Sequence, residues 1–216
     1  MKKRSGESYK RKSRLKRPTP FFIIVCEGLV TEEDYFKCFP YYHSLGHGTF
    51  SHKAVHIEGG AGQHTKVVER ADLVYKKYSK ELGTIRPDEV WCVFDCDNDL
   101  DSLKKAVRLA DSKGFKAIYS IQCFELWYVM HFQNLTSPVD KKEYDRKIDA
   151  ALKIRYTHGT RGMYDLLLPF QEVAIQTAER IWNEKYAKSE MYEDAITNVH
   201  TLVTSLNEAY LNLKRH

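Results

Sequence analysis

A chain of 216 residues has room for one sizeable core and a helical appendage. At 43% hydrophobic and 12% aromatic it reads as globular, and no apolar run is long enough to cross a bilayer, which excludes a membrane-spanning helix. The net charge of +5 is unevenly spread: residues 1–17 hold nine Lys and Arg against Glu7 alone, so the arm carries a surplus of about eight and the body is mildly acidic.

In chain order, the first 17 residues form a basic arm. Lys10, Arg11, Lys12, Arg14, Lys16 and Arg17 are its candidate nucleic-acid contacts, since such a run neutralises phosphates without reading sequence. A solubilising tail is the plainer alternative. The arm is not expected to be a signal peptide, because the apolar run after it, Phe21–Cys26, is too short and lacks a small-residue cleavage site. Five cysteines without paired spacing point to reduced thiols and a cytoplasmic setting.

Pro18 and Pro20 mark the entry to an α/β domain expected over residues 18–135. Phe21–Cys26 reads as a strand buried on both faces, and it ends at Glu27-Gly28, where Gly28 would free the backbone for a sharp turn. Thr31 is placed to cap a helix with an acidic first turn (Glu32, Glu33, Asp34), which Pro40 ends. A loop from Tyr41 to Lys53 leads to a short strand at Ala54–Glu58. The Gly59–Gly62 turn follows, either a hinge or a weak phosphate cradle that lacks the lysine of a P-loop, and then a helix from about Thr65 to Lys80. Val90–Phe94 reads as a buried strand running into Asp95, Asp97 and Asp99. A helix over Leu100–Ser112, with Gly114 fitting its C-terminal cap, and a strand over Phe115–Ser120 come next. The apolar segment Gln122–Phe132 has helical length and carries Glu125.

This alternation predicts a mostly parallel sheet flanked by helices. Residues 136–216 read differently: a charged helix at Lys141–Lys153, a polar turn at Tyr156–Gly162, and long helices near 163–187 and 192–213, with no strand. They are expected to form a helical extension packed on the sheet domain.

The acids carry the chemistry. Parallel strands bring their C-terminal edges together, so Glu27, Asp95, Asp97 and Glu125 are expected to meet at one rim. If strand geometry persisted past Phe94, Asp95 and Asp97 would leave on the same face. Clustered carboxylates repel one another unless a cation neutralises them, and hard oxygen ligands suit Mg²⁺. Asp99 is a lesser helper, or a helix cap. Other signals are weaker. His43, His47, His52, His56 and His64 lack the paired spacing of a zinc site. Cys26, Cys92, Cys96 and Cys123 read as small packed thiols, His131 as a core histidine, and Lys153, Arg155, His158 and Arg161 as either a phosphate patch or a solvated face.

The matched residues are Glu27-Gly28-x-x-Thr31-Glu32-x-x-Tyr35-Phe36, Val90-Trp91-Cys92-Val93-Phe94-Asp95-x-Asp97, Ser120-x-x-Cys123-Phe124-Glu125-Leu126-Trp127 with His131-Phe132, and more weakly Thr197–Val203. A strand ending in Glu-Gly, then one ending in Asp-x-Asp, resembles the Toprim domain of topoisomerases, primases and OLD-type nucleases. In detail the pattern is similar to the RloB-like family, Toprim-related and linked to restriction and phage-defence loci. The likeness spans roughly residues 18 to 206. One departure stands out: the family has Asn-Pro before Cys-Phe-Glu, where this chain has Ile121-Gln122.

The resemblance implies a Toprim-like, Rossmann-like fold and a metal-dependent nuclease acting on DNA or RNA, tRNA included, in anti-phage defence. It implies that Asp95 and Asp97 hold Mg²⁺ (or Mn²⁺), that Glu27 is a further ligand or a general acid/base, and that Glu125 completes the shell. A partner ATPase or restriction-system component is a further expectation. A non-catalytic nucleic-acid-binding or assembly protein is the first alternative, and a phosphotransferase using the Gly59–Gly62 turn on a mononucleotide is the second.

Overall fold

Phe21-Phe22-Ile23-Ile24-Val25-Cys26 has no polar member, so neither side of the extended segment can face water. In the computed structural model, which describes residues 20–44, 55–81, 86–135, 137, 139–192 and 195–215, strand β1 (Phe22–Cys26) lies inside a sheet with β2 (Val55–Glu58), β3 (Glu89–Asp95) and β4 (Lys116–Ser120). The order is β2-β1-β3-β4, and every pairing among these strands is parallel.

Alternate side chains of β1 and β3 enter two different cores. Phe21, Ile23 and Val25 join Val90, Cys92 and Phe94 on the face covered by α3 (Thr65–Glu81) and α4 (Leu100–Ser112). Phe22, Ile24 and Cys26 join Trp91 and Val93 on the other face. That second core also takes side chains from α1 (Thr31–Lys37), α2 (Pro40–Ser44), α5 (Glu125–Val129), α6 (Lys141–Leu152), α7 (Met163–Leu167), α8 (Gln171–Ala187) and α9 (Val199–Lys214). The helical segment therefore shares one apolar cluster with the sheet. Among the described residues no helix is long and apolar enough to cross a membrane.

Several boundaries depart from the sequence expectation, each for a local reason. Thr31 is the first helical residue of α1, not its cap, and its hydroxyl bonds no partner. Pro40 starts α2, where a missing N–H costs nothing. The Gln122–Phe132 segment is helical only over Glu125–Val129. The helix expected near 163–187 is broken by a 3-10 turn at Leu168–Phe170, which contains Pro169. His131 and His200 are packed in the core, where burial pushes both imidazoles down to about 4. The start of the second strand at Ala54 and the His47 and His52 positions lie outside the described residues.

The last helix begins at Val199, later than expected, because the residues before it are drawn to the sheet. Thr197 makes an isolated antiparallel bridge to Ser120. The Asn198 side chain accepts from the Tyr119 N–H at 2.7 Å and donates to the Ala117 carbonyl at 2.9 Å, as a neighbouring strand would. This closes the outer edge of β4, which would otherwise present unpaired backbone groups. Asn198→Ala strips both partners from a mostly buried edge and should cost about 2–3 kcal/mol. A lowered urea midpoint with an unchanged slope would report it.

Candidate active site

The rim at the C-terminal ends of β1, β3 and β4 gathers the acids. Past β1, the Glu27 N–H still donates to the Val93 carbonyl at 3.0 Å, so Glu27 stays in the ladder beside β3. Its Oε2 accepts from the Asp95 N–H at 3.4 Å, which places these two acids side by side. Gly28 follows, and its role differs from the expected turn. A Cβ there would collide with Glu32 Oε2, and the Gly28 N–H donates to Glu32 Oε1 at 3.2 Å. Glycine is needed because the carboxylate of the buried Glu32 lies against the backbone.

Asp95 ends β3 with the same parity as Trp91 and Val93, so it heads toward the α1 and α5 side and is buried. The strand geometry then stops. Asp97 (φ +42) and Asn98 (φ +63) adopt the left-handed region, which Asp and Asn tolerate, and the Asp99 N–H closes the turn on the Cys96 carbonyl at 2.8 Å. Asp97 therefore does not share the inward face with Asp95. It is exposed, and Lys141 Nζ donates to its Oδ1 at 2.6 Å. Asp99 caps α4, accepting from the Ser102 N–H at 3.1 Å, and is thereby spent on structure.

Glu125 opens α5 and is 2% exposed. The Ile121-Gln122 substitution does not prevent this: Gln122 takes φ +75, and its carbonyl accepts from the Asp97 N–H at 3.2 Å, tying the two turns together. Two groups from the helical segment reach Glu125 Oε1, the Tyr156 hydroxyl at 2.8 Å and His158 Nδ1 at 2.7 Å. The loop bearing them is pinned to α1, where Asp34 accepts from the Gly162 N–H at 2.8 Å and from Arg161 Nη1 at 3.5 Å. The residues read as either a phosphate patch or a solvated face are divided: His158 serves Glu125, Arg161 serves Asp34, and Lys153 is the left-handed cap of α6.

Electrostatics separate these carboxyls. Burial pushes Asp95 well above the ordinary carboxylate range, and Glu32, Glu125, Asp97 and Glu27 reinforce the rise. Burial also raises Glu27 and Glu32, against hydrogen bonds from neighbouring backbone N–H groups. Burial pushes Glu125 up too, but the hydrogen bond and charge of His158 and the Tyr156 hydroxyl outweigh it and hold the carboxyl at about 2. The rim therefore keeps Glu125 ionised and biases Asp95 toward its protonated form.

Sequence reasoning left four neighbours of this rim unassigned. His64 is buried, donates from Nε2 to the Asp95 carbonyl at 2.9 Å, and is felt electrostatically by Glu27. Glu32, Lys141 and Tyr156 are the others. Glu32 had a signal in the matched Glu27-Gly28-x-x-Thr31-Glu32 stretch, and His64 stood only among the histidines that lack zinc spacing. The Gly59–Gly62 turn does not offer its inner amides to a phosphate: Gly60 donates to the Gly28 carbonyl at 2.9 Å and Ala61 to the Cys26 carbonyl at 3.3 Å. His56 is engaged with Tyr78 and Glu58. The cysteines form no disulfide, and burial raises the thiols of Cys26, Cys92 and Cys123, which disfavours the thiolate a nucleophile needs. Lys10, Arg11, Lys12, Arg14, Lys16 and Arg17 lie outside the described residues.

Among the described residues no three His, Cys, Asp or Glu groups already stand together as a metal-holding set. Glu27, Glu32, Glu125 and Asp97 are instead turned to internal donors. The donor chemistry nonetheless fits a hard divalent cation. Asp95 Oδ1 and Glu125 Oε2 are buried without a hydrogen-bond partner, and carboxylate oxygens so placed call for a proton or a cation.

Residues 22–206 match the family model described as RloB-like protein. No curated protein and no solved structure matches the chain.

Asp95→Asn removes a buried charge that lacks a counter-ion, so in chelator the variant should be more stable than the parent by about 1–3 kcal/mol at pH 8. The sign with pH follows from the raised carboxyl. The folded parent takes up its proton before the unfolded chain does, so its stability recovers as pH falls through the raised value. The gap between the two proteins should therefore close toward the ordinary carboxylate range near about pH 4, measured by urea denaturation across pH.

Proposed function

The chain belongs to the RloB-like family, and from that premise and the acidic rim we propose that it is a divalent-cation-dependent nuclease, hydrolysing phosphodiester bonds of DNA or RNA, with tRNA among the candidate substrates. Its setting in this reading is the cytoplasm, in defence against phage, beside a partner ATPase or restriction-system component. The observation that carries the reading is the pairing of Glu27 with a buried Asp95 whose Oδ1 has no donor, at the C-terminal rim of a parallel sheet. The likeness of Glu27-Gly28 and Asp95-x-Asp97 to the Toprim signature supports it.

Asp95, Asp97 and Glu27 would hold Mg²⁺ or Mn²⁺, with Glu125 nearby. The cation supplies Lewis acidity at a phosphate and a nucleophilic water at neutral pH. The chain's own residues do the rest. Burial raises the Glu27 carboxyl, which suits it to accept and return a proton at the reacting oxygen. His64 fixes the end of β3 through the Asp95 carbonyl, so the Asp95 side chain keeps its place beside Glu27. His158 and Tyr156 keep Glu125 charged, which maintains a negative field at the rim that would favour a cation. The basic arm adds phosphate contacts that are blind to sequence.

The test is incubation with DNA, RNA and tRNA, with Mg²⁺ or Mn²⁺ and then with chelator. Strand scission is expected only with the cation. Glu27→Gln and Asp95→Asn should each lower it roughly 10²–10⁴-fold while leaving nucleic-acid binding intact. Binding without scission under every condition would instead support the non-catalytic reading. Removing residues 1–17 should weaken binding and flatten its dependence on salt.

A further inference from the structure

Lys141 is the first residue of α6 and is contributed by the helical segment, not by the sheet. Its Nζ sits 2.6 Å from Asp97 Oδ1, with the two side chains 52% and 45% exposed. Beside the pair lies an open cleft of about 220 Å³, lined by Asp97, Asn98, Gln122, Asp140 and Lys141. That volume equals several waters, enough for a phosphate group with part of its hydration.

The charges of the cleft argue a sequence of events. Lys141 is the cation of the lining, and Asp97 and Asp140 are its anions. Asp140 is committed to the start of α6, where it accepts from the Lys142 N–H at 2.9 Å. The charge on Lys141 is thus matched by Asp97, and with Asp140 still ionised the lining carries one surplus negative charge that repels an incoming phosphate. An exposed pair of this kind is weakly held and exchanges easily. The left-handed turn at Asp97 and Asn98 keeps the Asp97 carboxylate at the cleft and off the inward face taken by Asp95, yet near enough to the rim for its charge to raise the Asp95 and Glu27 carboxyls.

We propose that Lys141 is a substrate-phosphate contact and that its pair with Asp97 is a charge-exchange latch. A divalent cation that takes Asp97 releases Nζ to a phosphate in the cleft. The sheet then supplies the cation's ligands while the helical segment supplies the phosphate's counter-charge, and the two ligands bind with positive coupling. By linkage, phosphate must strengthen cation binding by the same factor. This inference rests on the metal-dependent reading above.

The test is calorimetric titration of the full chain with Mg²⁺, then with inorganic phosphate in the absence and presence of saturating Mg²⁺. In the parent, Mg²⁺ should strengthen phosphate binding about fivefold or more. Lys141→Gln should bind Mg²⁺ about two- to fivefold tighter, because the competitor for Asp97 is gone, and should lose the Mg²⁺-dependent gain in phosphate binding. Lys141→Arg should keep both behaviours. A lysine that merely tethers α6 would leave both unchanged, and unchanged or weaker Mg²⁺ binding in Lys141→Gln overturns the latch. If the parent itself takes up no Mg²⁺, the metal-dependent reading falls first. If the parent binds Mg²⁺ and Lys141→Gln behaves like it, the latch alone falls.

Discussion

The constraint on which the site turns is a carboxyl group at the end of a strand that cannot reach water. Asp95 closes a run whose every residue from Val90 onward is buried, and its side chain enters the face shared by Glu32 and Glu125. Nothing in the parallel ladder can neutralise it, since the backbone groups of β3 are spent on β1 and β4. The surroundings compensate by arrangement. Glu27 is held at the Asp95 amide, Glu32 at the Gly28 amide, Glu125 under His158 and Tyr156, and Asp97 at Lys141. Each of these acids has a donor of its own, and Asp95 Oδ1 and Glu125 Oε2 are left as buried oxygens without an answer.

Those donors come from both parts of the chain. The amides belong to the sheet and its turns, whereas Lys141, Tyr156 and His158 come from residues beyond the sheet. The helical segment is joined to the sheet by more than the apolar cluster: Asp34 of α1 clamps the loop that presents His158. A perturbation of that loop would reach Glu125 through the two hydrogen bonds from Tyr156 and His158, so the site's electrostatics depend on an element that carries none of the signature acids.

Much of the fold was legible because its signals are local. Runs such as Phe21–Cys26 and Val90–Phe94 lack polar residues, and only a strand buried on both faces tolerates that. The convergence of Glu27 and Asp95 followed from parallel topology alone. What could not be read depended on contacts distant in sequence. Gly28 looks like a turn residue until the Glu32 carboxylate is seen against it. Asp97 seemed to share a face with Asp95 because strand periodicity was extended past the point where the backbone turns left-handed. His64, Lys141 and Tyr156 carry no periodic or spacing signal, since their roles exist only once three loops meet. Helix boundaries near Val199 shifted for the same reason: Thr197 and Asn198 answer to β4, not to the helix they precede.

That last attachment has a bearing on how the chain can be divided. The outer side of β4 is hydrogen-bonded by a threonine and an asparagine that arrive from nearly eighty positions downstream. A fragment cut between Glu125 and Thr197 would keep every signature acid and yet display a naked strand, an open template for a second molecule. The smallest self-contained unit of this protein is therefore set by its sheet's need for a sealed border, and it extends well past the last residue of the acidic rim.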